Sequence, residues 1–462
     1  MPALKRILVG LGVLFVGTRQ ALAVPAFARQ TGMSCAQCHT AFPELTPFGR
    51  QFKLNGYVLG AKDKVTDTVP STTGNDDDAQ TRLEIGSNVP LGAMIQAEVH
   101  WIRNDSAKDI TYASTAASDG QGYASLPTQV SLFYAGEIAP KVGAFLQLTY
   151  DPNNGSVGID NTDVRYADHW SLGAHDLLLG ATLNNNITAQ DVYNSTPAWS
   201  FPYASADNAP GPTIGTQIDG ALAQNVAGLG VYADWDGWLY AEWSQYRTNP
   251  QTGYTGENIQ GWAPYWRVAA EYGHDKHSLE VGAYGVTLNL LPGSIDLGTT
   301  PTNTPADIYT DVAADFQYQY IGDDHIVAVQ GSYTQENQAL NYSTAAGHQF
   351  SGPLADNTYG TLDDLHLTAS YLYQRAWGAA IGYFQLTGTK DATFYSNQGL
   401  AQNVPNSNGF IYEISYRPWL NTRLSLDYAT FGQFDGGTAN YDGHGRAAWD
   451  NNTATMMAWL AY

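Results

Sequence analysis

From residue 82 to the C-terminus the chain is a succession of strand-length stretches in which apolar and polar side chains alternate, bounded by clusters of Gly, Asp, Asn and Pro. In 93–101, Ala93, Ile95, Ala97, Val99 and Trp101 share one face and Met94, Gln96, Glu98 and His100 the other. In 410–417, Phe410, Tyr412, Ile414 and Tyr416 alternate with Glu413, Ser415 and Arg417. The connections between stretches alternate in length. Seven are tight turns, at Pro140-Lys141, Ala174-His175-Asp176, Trp235-Asp236-Gly237, Asp275-Lys276, Gly322-Asp323-Asp324, Ala376-Trp377 and Pro418-Trp419-Leu420-Asn421. Eight are long and polar, near 105–128, 152–162, 189–219, 249–263, 292–307, 337–361, 391–407 and 435–451. Seven turns and eight loops join sixteen strands, and short turns on one side with long loops on the other predict a 16-stranded outer-membrane β-barrel.

A split of 82–103 at Val89-Pro90-Leu91-Gly92 would make seventeen strands. A closed bacterial barrel has an even number, so 91–103 is read as the first strand, with its apolar set toward lipid and Met94, Gln96, Glu98 and His100 turned inward. A soluble β-sandwich or propeller is the competing all-β reading. Tyr and Trp at strand ends favour the membrane barrel, as does a last strand ending on Tyr462, which resembles the assembly signal of outer-membrane barrels.

The N-terminus points to export. Lys5-Arg6, an apolar run from Ile7 to Gly17 and Ala21-Leu22-Ala23 form a secretory signal over residues 1–23, with maturation at Val24. Residues 61–81 are polar, carry Asp76-Asp77-Asp78 and read as an acidic linker between residues 24–60 and the barrel of 82–462. With 30 Tyr, 12 Trp and 47 Gly but only 14% charged residues, the long C-terminal part fits neither a soluble helical enzyme nor a disordered tail. Of the net charge of −22, residues 81–462 carry −24, whereas 24–60 carry +2. That balance argues against a nucleic-acid partner and for attraction of cations.

The chemistry is concentrated in residues 24–60. Cys35-Ala36-Gln37-Cys38-His39 has the C-x-x-C-H spacing that attaches a c-type haem, the thiols bonding the vinyl groups and His39 ligating the iron. A structural disulfide or a redox dithiol is the alternative for a lone cysteine pair. A redox dithiol would be expected beside a βαβ pattern, and strands alone follow. A short helix comes next, with Thr46 as N-cap, Pro47 in its first position and Asn55-Gly56 as its stop. Phe48 and Phe52 lie four apart on one face, beside which Phe42 and Leu45 would border a porphyrin, and Arg50 and Lys53 are placed to reach its propionates. Inward-facing Met94 and His100 are the two candidates for a second axial ligand, each also readable as ordinary lumen lining. Fewer than about 40 residues seldom bury a stable core unaided, so the segment is expected to dock in the barrel.

The pattern F-A-R-Q-T-G-x-x-C-x-x-C-H-x-x-F-P-x-L-x-x-F-G-R-x-F-K-x-x-G-Y, carried by Phe27 to Gly32, Cys35, Cys38, His39, Phe42, Pro43, Leu45, Phe48, Gly49, Arg50, Phe52, Lys53, Gly56 and Tyr57 and followed by a porin-like barrel, resembles the fused monohaem cytochrome-porin family of outer-membrane iron oxidases. The resemblance implies one covalently bound haem c in or at the barrel, oxidation of extracellular Fe(II), and delivery of electrons to a periplasmic c-type cytochrome. Two other functions are compatible with the same residues: a channel with a haem-bearing plug, and a redox porin for another extracellular donor.

Overall fold

The computed structural model describes residues 26–27, 33, 35–40, 44–59, 90–104, 123–152, 155–187, 191–193, 210–222, 225–249, 258–291, 305–345, 353–419 and 421–461. The signal stretch, the linker, the terminal Tyr462 and much of the long connections lie outside these residues.

Seventeen strand segments follow one another: β1 (Leu91–Ile102), β2 (Tyr123–Ala139), β3 (Val142–Asp151), β4 (Ser156–Leu172), β5 (His175–Asn184), β6 (Val226–Trp235), β7 (Leu239–Thr248), β8 (Asn258–Ile259), β9 (Ala263–His274), β10 (His277–Leu291), β11 (Asp307–Ile321), β12 (His325–Ala339), β13 (Tyr359–Tyr373), β14 (Trp377–Gly388), β15 (Ser407–Trp419), β16 (Thr422–Gln433) and β17 (Thr453–Ala461). The two-residue β8 pairs with β10 just beyond the stretch of β10 that pairs with β9, so β8 and β9 share one stave and the barrel has sixteen. Every neighbouring pair is antiparallel in sequence order, and β17 closes on β1 from Met94↔Ala461 to Ile102↔Thr453. Closure leaves no sheet edge, as hydrocarbon requires of a strand-built protein.

The alternation holds along the staves. On β1, Ile95 and Trp101 are exposed, while Met94, Gln96, Glu98 and His100 are buried. On β15, Phe410, Tyr412 and Ile414 face out and Glu413 and Ser415 face in. The outer surface is a band of Leu132, Leu148, Val231, Val268, Val281, Val312, Ile381 and Leu426. Exposed tryptophans flank it, with Trp170, Trp238, Trp377 and Trp419 at one end and Trp101 and Trp262 at the other. An apolar band between aromatic girdles is the outer surface of an outer-membrane barrel.

The tight turns fall where alternation places them. Several are made by residues in the left-handed region, among them Lys141 (φ 67°), Asp236 (φ 53°) and Asp275 (φ 52°), which lets two strands reverse within two or three residues. Two of the long connections are shorter than the sequence pattern predicts. Strand β4 begins at Ser156, so the loop expected over 152–162 shrinks to 152–155. The β3–β4 ladder runs out to Asp151↔Ser156 and turns Val157 and Ile159 to the outer face. Strand β2 likewise takes in 123–128, pairing Tyr123 with His100.

Among the described residues, two pieces of chain meet at the turn end of the lumen. The connection from β5 to β6 places Val192, Tyr193 and Ile218 in buried positions, with Gln317 on β11 donating to the Tyr193 carbonyl at 3.1 Å. The N-terminal segment is the other.

Candidate functional site

Two short helices carry the cysteine motif: α1 (Cys35–Cys38) and α2 (Pro47–Leu54). The ends of α2 match the residue types that predict them. The Thr46 hydroxyl accepts from Gly49 N–H at 3.1 Å, Pro47 sits in the first turn, and the chain leaves through Asn55 and Gly56 (φ 70°). The same threonine ties the helices together, its hydroxyl donating to Gln37 O at 2.6 Å and its N–H to Cys38 O at 2.9 Å. His39 pairs in a β-bridge with Leu45. At Gly49 a Cβ would lie 2.2 Å from Cys38 O, so only glycine lets α1 approach this closely.

The motif is therefore held through backbone atoms, while the Cys38 and His39 side chains are half-exposed. Cys35 and Cys38 are the first and last residues of the single turn α1, with His39 the next residue. This donor set fits covalent haem attachment with one imidazole ligand. The Cys35 side chain and residues 41–43 lie outside the described residues.

The seat of the segment is the turn end of the lumen. The Arg50 guanidinium binds Glu271 on β9 through Nη2 and, at 3.0 Å, through Nε. It also donates to Ser278 on β10 (3.2 Å), to Gln317 and Gln319 on β11 (2.8 and 3.3 Å) and to Leu45 O (2.7 Å). Across the mouth, Tyr57 donates to Asp163 on β4 at 2.5 Å, Tyr232 on β6 donates to Leu54 O at 2.7 Å, and Gln51 donates to Asp234 on β6 at 3.2 Å. Asn55 meets His169 on β4 at 2.7 Å. The segment Leu45–Tyr57, with α2 in its middle, thus reaches across the mouth from β11 to β4. Burial, with the nearby Arg165 charge added, pulls the Lys53 ammonium down to about 8. Burial also raises the Glu44 carboxyl above its ordinary value, against the hydrogen bond from Thr40.

These contacts change the roles expected of several residues. Every nitrogen of Arg50 is engaged by protein acceptors, so it serves as the docking contact with Glu271. Phe52 is buried in protein, edge-on to Phe27 at 5.2 Å and to Tyr57 at 6.4 Å. Phe48 is half-buried. Met94 and His100 face the lumen, but on β1, whereas the hydrogen bonds seating the segment run to β4, β6, β9, β10 and β11. They are also six residues apart along one strand, roughly 20 Å, so they occupy different depths. Glu271, which anchors the segment, was not singled out in the sequence. Its signal there is faint, an acidic residue a few positions before a tight turn.

Above the segment the lumen is strongly charged. Arg267 is sandwiched between Tyr193 and Tyr284, with its guanidinium carbon 4.8 and 4.9 Å from the ring centres, and bonds Glu280 at 3.1 Å and Asp315 at 2.5 Å. Arg50 lies 5.5 Å from the Tyr193 ring centre, so Tyr193 separates the two guanidinium groups.

No family model matches the chain, and no curated protein matches it. Among solved structures it is similar to the outer membrane channel DcaP of Acinetobacter baumannii (13% identity, TM-score 0.47, covering 80% of this chain and 96% of that one). It is also similar to a loop L8 deletion mutant of OmpT from Vibrio cholerae (10%, 0.43, 80% and 98%) and to an anion-selective porin from Comamonas acidovorans (10%, 0.42, 80% and 98%). At these scores the barrel assignment rests on the strand pairing itself.

Proposed function

We propose that the chain is an outer-membrane electron-transfer protein that takes electrons from extracellular Fe(II) and delivers them to a periplasmic c-type cytochrome, using one haem c held by Cys35, Cys38 and His39. The observation that carries this reading is a C-x-x-C-H turn fixed on a helix that is itself locked into the mouth of an outer-membrane barrel by a buried ion pair. When bound, the haem supplies a one-electron centre that alternates between ferrous and ferric iron. The cysteines would anchor it, His39 would ligate its iron from one side, and Arg50, Gln51 and Tyr57 hold the turn in the barrel. With the tight turns periplasmic, the motif would lie on the side an acceptor reaches, and the acidic lumen and loops would lie toward the source of Fe(II).

The test is anaerobic addition of Fe(II) to the purified, haem-loaded protein, followed by visible absorption. Reduction of the haem in the native protein, and loss of haem staining on a denaturing gel in Cys35→Ala and Cys38→Ala, are expected. Full staining of the double variant, or a haem that stays oxidised in excess Fe(II), would overturn the reading. A channel with a plug is favoured by one observation, the reach of residues 45–57 across the mouth from β11 to β4. It predicts a conductance in planar bilayers that rises when Arg50→Ala unseats the segment.

A further inference from the structure

The loop-side half of the lumen holds a second cluster, remote from the cysteine motif. Asp364 and His366 are two apart on β13 and so share its inward face. Asp219 is brought to them by residues 210–222 of the β5–β6 connection. His366 Nε2 lies 3.1 Å from Asp219 Oδ2 and 3.2 Å from Asp364 Oδ1, and the three donor atoms all lie within 4.8 Å of one another. Neither approach has the alignment of a hydrogen bond: His366 Nε2 and Asp219 Oδ1 are buried atoms with no hydrogen-bond partner.

The turn that presents Asp219 is fixed by two further carboxylates. Gln217 N–H donates to Glu336 at 2.7 Å and Ile218 N–H to Asp311 at 2.8 Å. Asp311 and Glu336 are directly opposite each other on β11 and β12 and almost wholly buried, and Asp311 Oδ1 has no hydrogen-bond partner. Two carboxylates therefore meet the imidazole, and two more hold the turn that presents one of them. Among the described residues no arginine or lysine is ion-paired with any of the five. The His366 imidazole can offset at most one of these negative charges; the excess of buried like charge is costly, and a cation is a group that would relieve it.

We propose that Asp219, Asp364 and His366 bind a divalent transition-metal cation of borderline hardness, with Asp311 and Glu336 as the acidic wall behind them. Around an ion with bonds of about 2.1 Å, adjacent octahedral donors stand about 3.0 Å apart, close to the two His366 separations. One imidazole nitrogen and two carboxylates suit Fe(II), Mn(II), Co(II) or Zn(II) and not a soft monovalent ion. Three protein donors leave positions for water, and the His366 side chain is 35% exposed. The site follows from this geometry and does not depend on the electron-transfer reading.

Co(II) is the probe, because its binding is visible in its own absorption and needs no haem chemistry. The full-length protein, stripped of metal in detergent, is titrated with CoCl2 alongside His366→Gln, Asp364→Asn and Asp219→Asn, with heat-modifiable gel migration as the check on barrel folding. One saturable site in the native protein, weakened at least tenfold in each folded variant, is the expected result. Asp219 lies on a connection and not on a stave, so its variant keeps the test open if a strand variant fails to fold. Absence of saturable Co(II) binding to the native protein would overturn the site, as would affinities within tenfold of native in both Asp219→Asn and His366→Gln. The first of these results would mean that the carboxylates are satisfied by shared protons.

Discussion

Replacing Arg50 by methionine removes the contact that fixes α2 to β9, β10 and β11. The side chains of Arg50 and Glu271 are 2% and 10% exposed, so the ion pair is withdrawn from water. Removing one partner of such a pair costs about 3–5 kcal/mol, because the remaining charge stays buried without its counter-ion. At about 1.4 kcal/mol per tenfold, the docking equilibrium should shift by roughly 150- to 5,000-fold. Amide hydrogen exchange over 47–54 in the haem-loaded, full-length protein reads that shift directly, with the amides of β12 and β13 as an internal control expected to stay protected. The double variant Arg50→Met/Glu271→Met should cost less than Arg50→Met alone, because it leaves no stranded carboxylate. If α2 in Arg50→Met exchanges at the native rate, or the double variant loses the sum of the two single losses, the ion pair is not what seats the segment.

Gly49→Ala forces a Cβ against Cys38 O, an overpacking cost of about 1–3 kcal/mol, and should change the visible spectrum of the attached haem while the barrel still migrates as folded. An unchanged spectrum would show that the α1–α2 contact does not position the motif. The seat of Lys53 gives docking a pH dependence. Undocked, the amine keeps its proton up to its ordinary value near 10.5; docked, it releases it at about 8. The undocked form therefore binds more protons between these values, and docking should strengthen as pH rises from about 8 to 10. The urea midpoint for labelling a single cysteine at Val58 should rise over that window, and Lys53→Met should flatten the rise; parallel profiles would assign the pH response to another group. For orientation, an epitope inserted in 346–352 should be labelled on intact cells and one at Asp323 only after the outer membrane is opened. The reverse pattern would invert the barrel.

The staves were legible in the sequence because each has one face against lipid and one against a polar lumen, an alternation that the chain cannot hide. The turns were legible for the same reason, since the pattern breaks where the strand must reverse. The misplaced boundaries share one cause. In 156–162, Gly158, Asp160 and Asn161 read as turn formers, yet Gly158 pairs with Thr149 on β3 and Asp160 and Asn161 are taken up in a bulge within the strand. The cap residues of α2 are local signals and were read correctly, whereas the roles of its buried side chains are set by distant strands. Arg50 meets Glu271 across 221 residues of chain and Gln319 across 269. Asp219 reaches His366 across the lumen, where no spacing rule links a loop to a stave. Lumenal His366 could be read as inward-facing, but the carboxylate beside it could not.

The long separation between α2 and its partners also dictates an order of assembly. The acceptors for Arg50, Gln51 and Tyr57 are spread over β4 to β11, and the mouth that α2 fills takes its shape only when β17 has met β1. The N-terminal segment, first to leave the ribosome, is thus the last to find its place. Seating is then the final step of maturation, a checkpoint at which a barrel with a mispaired stave would leave its own N-terminus hanging outside the mouth.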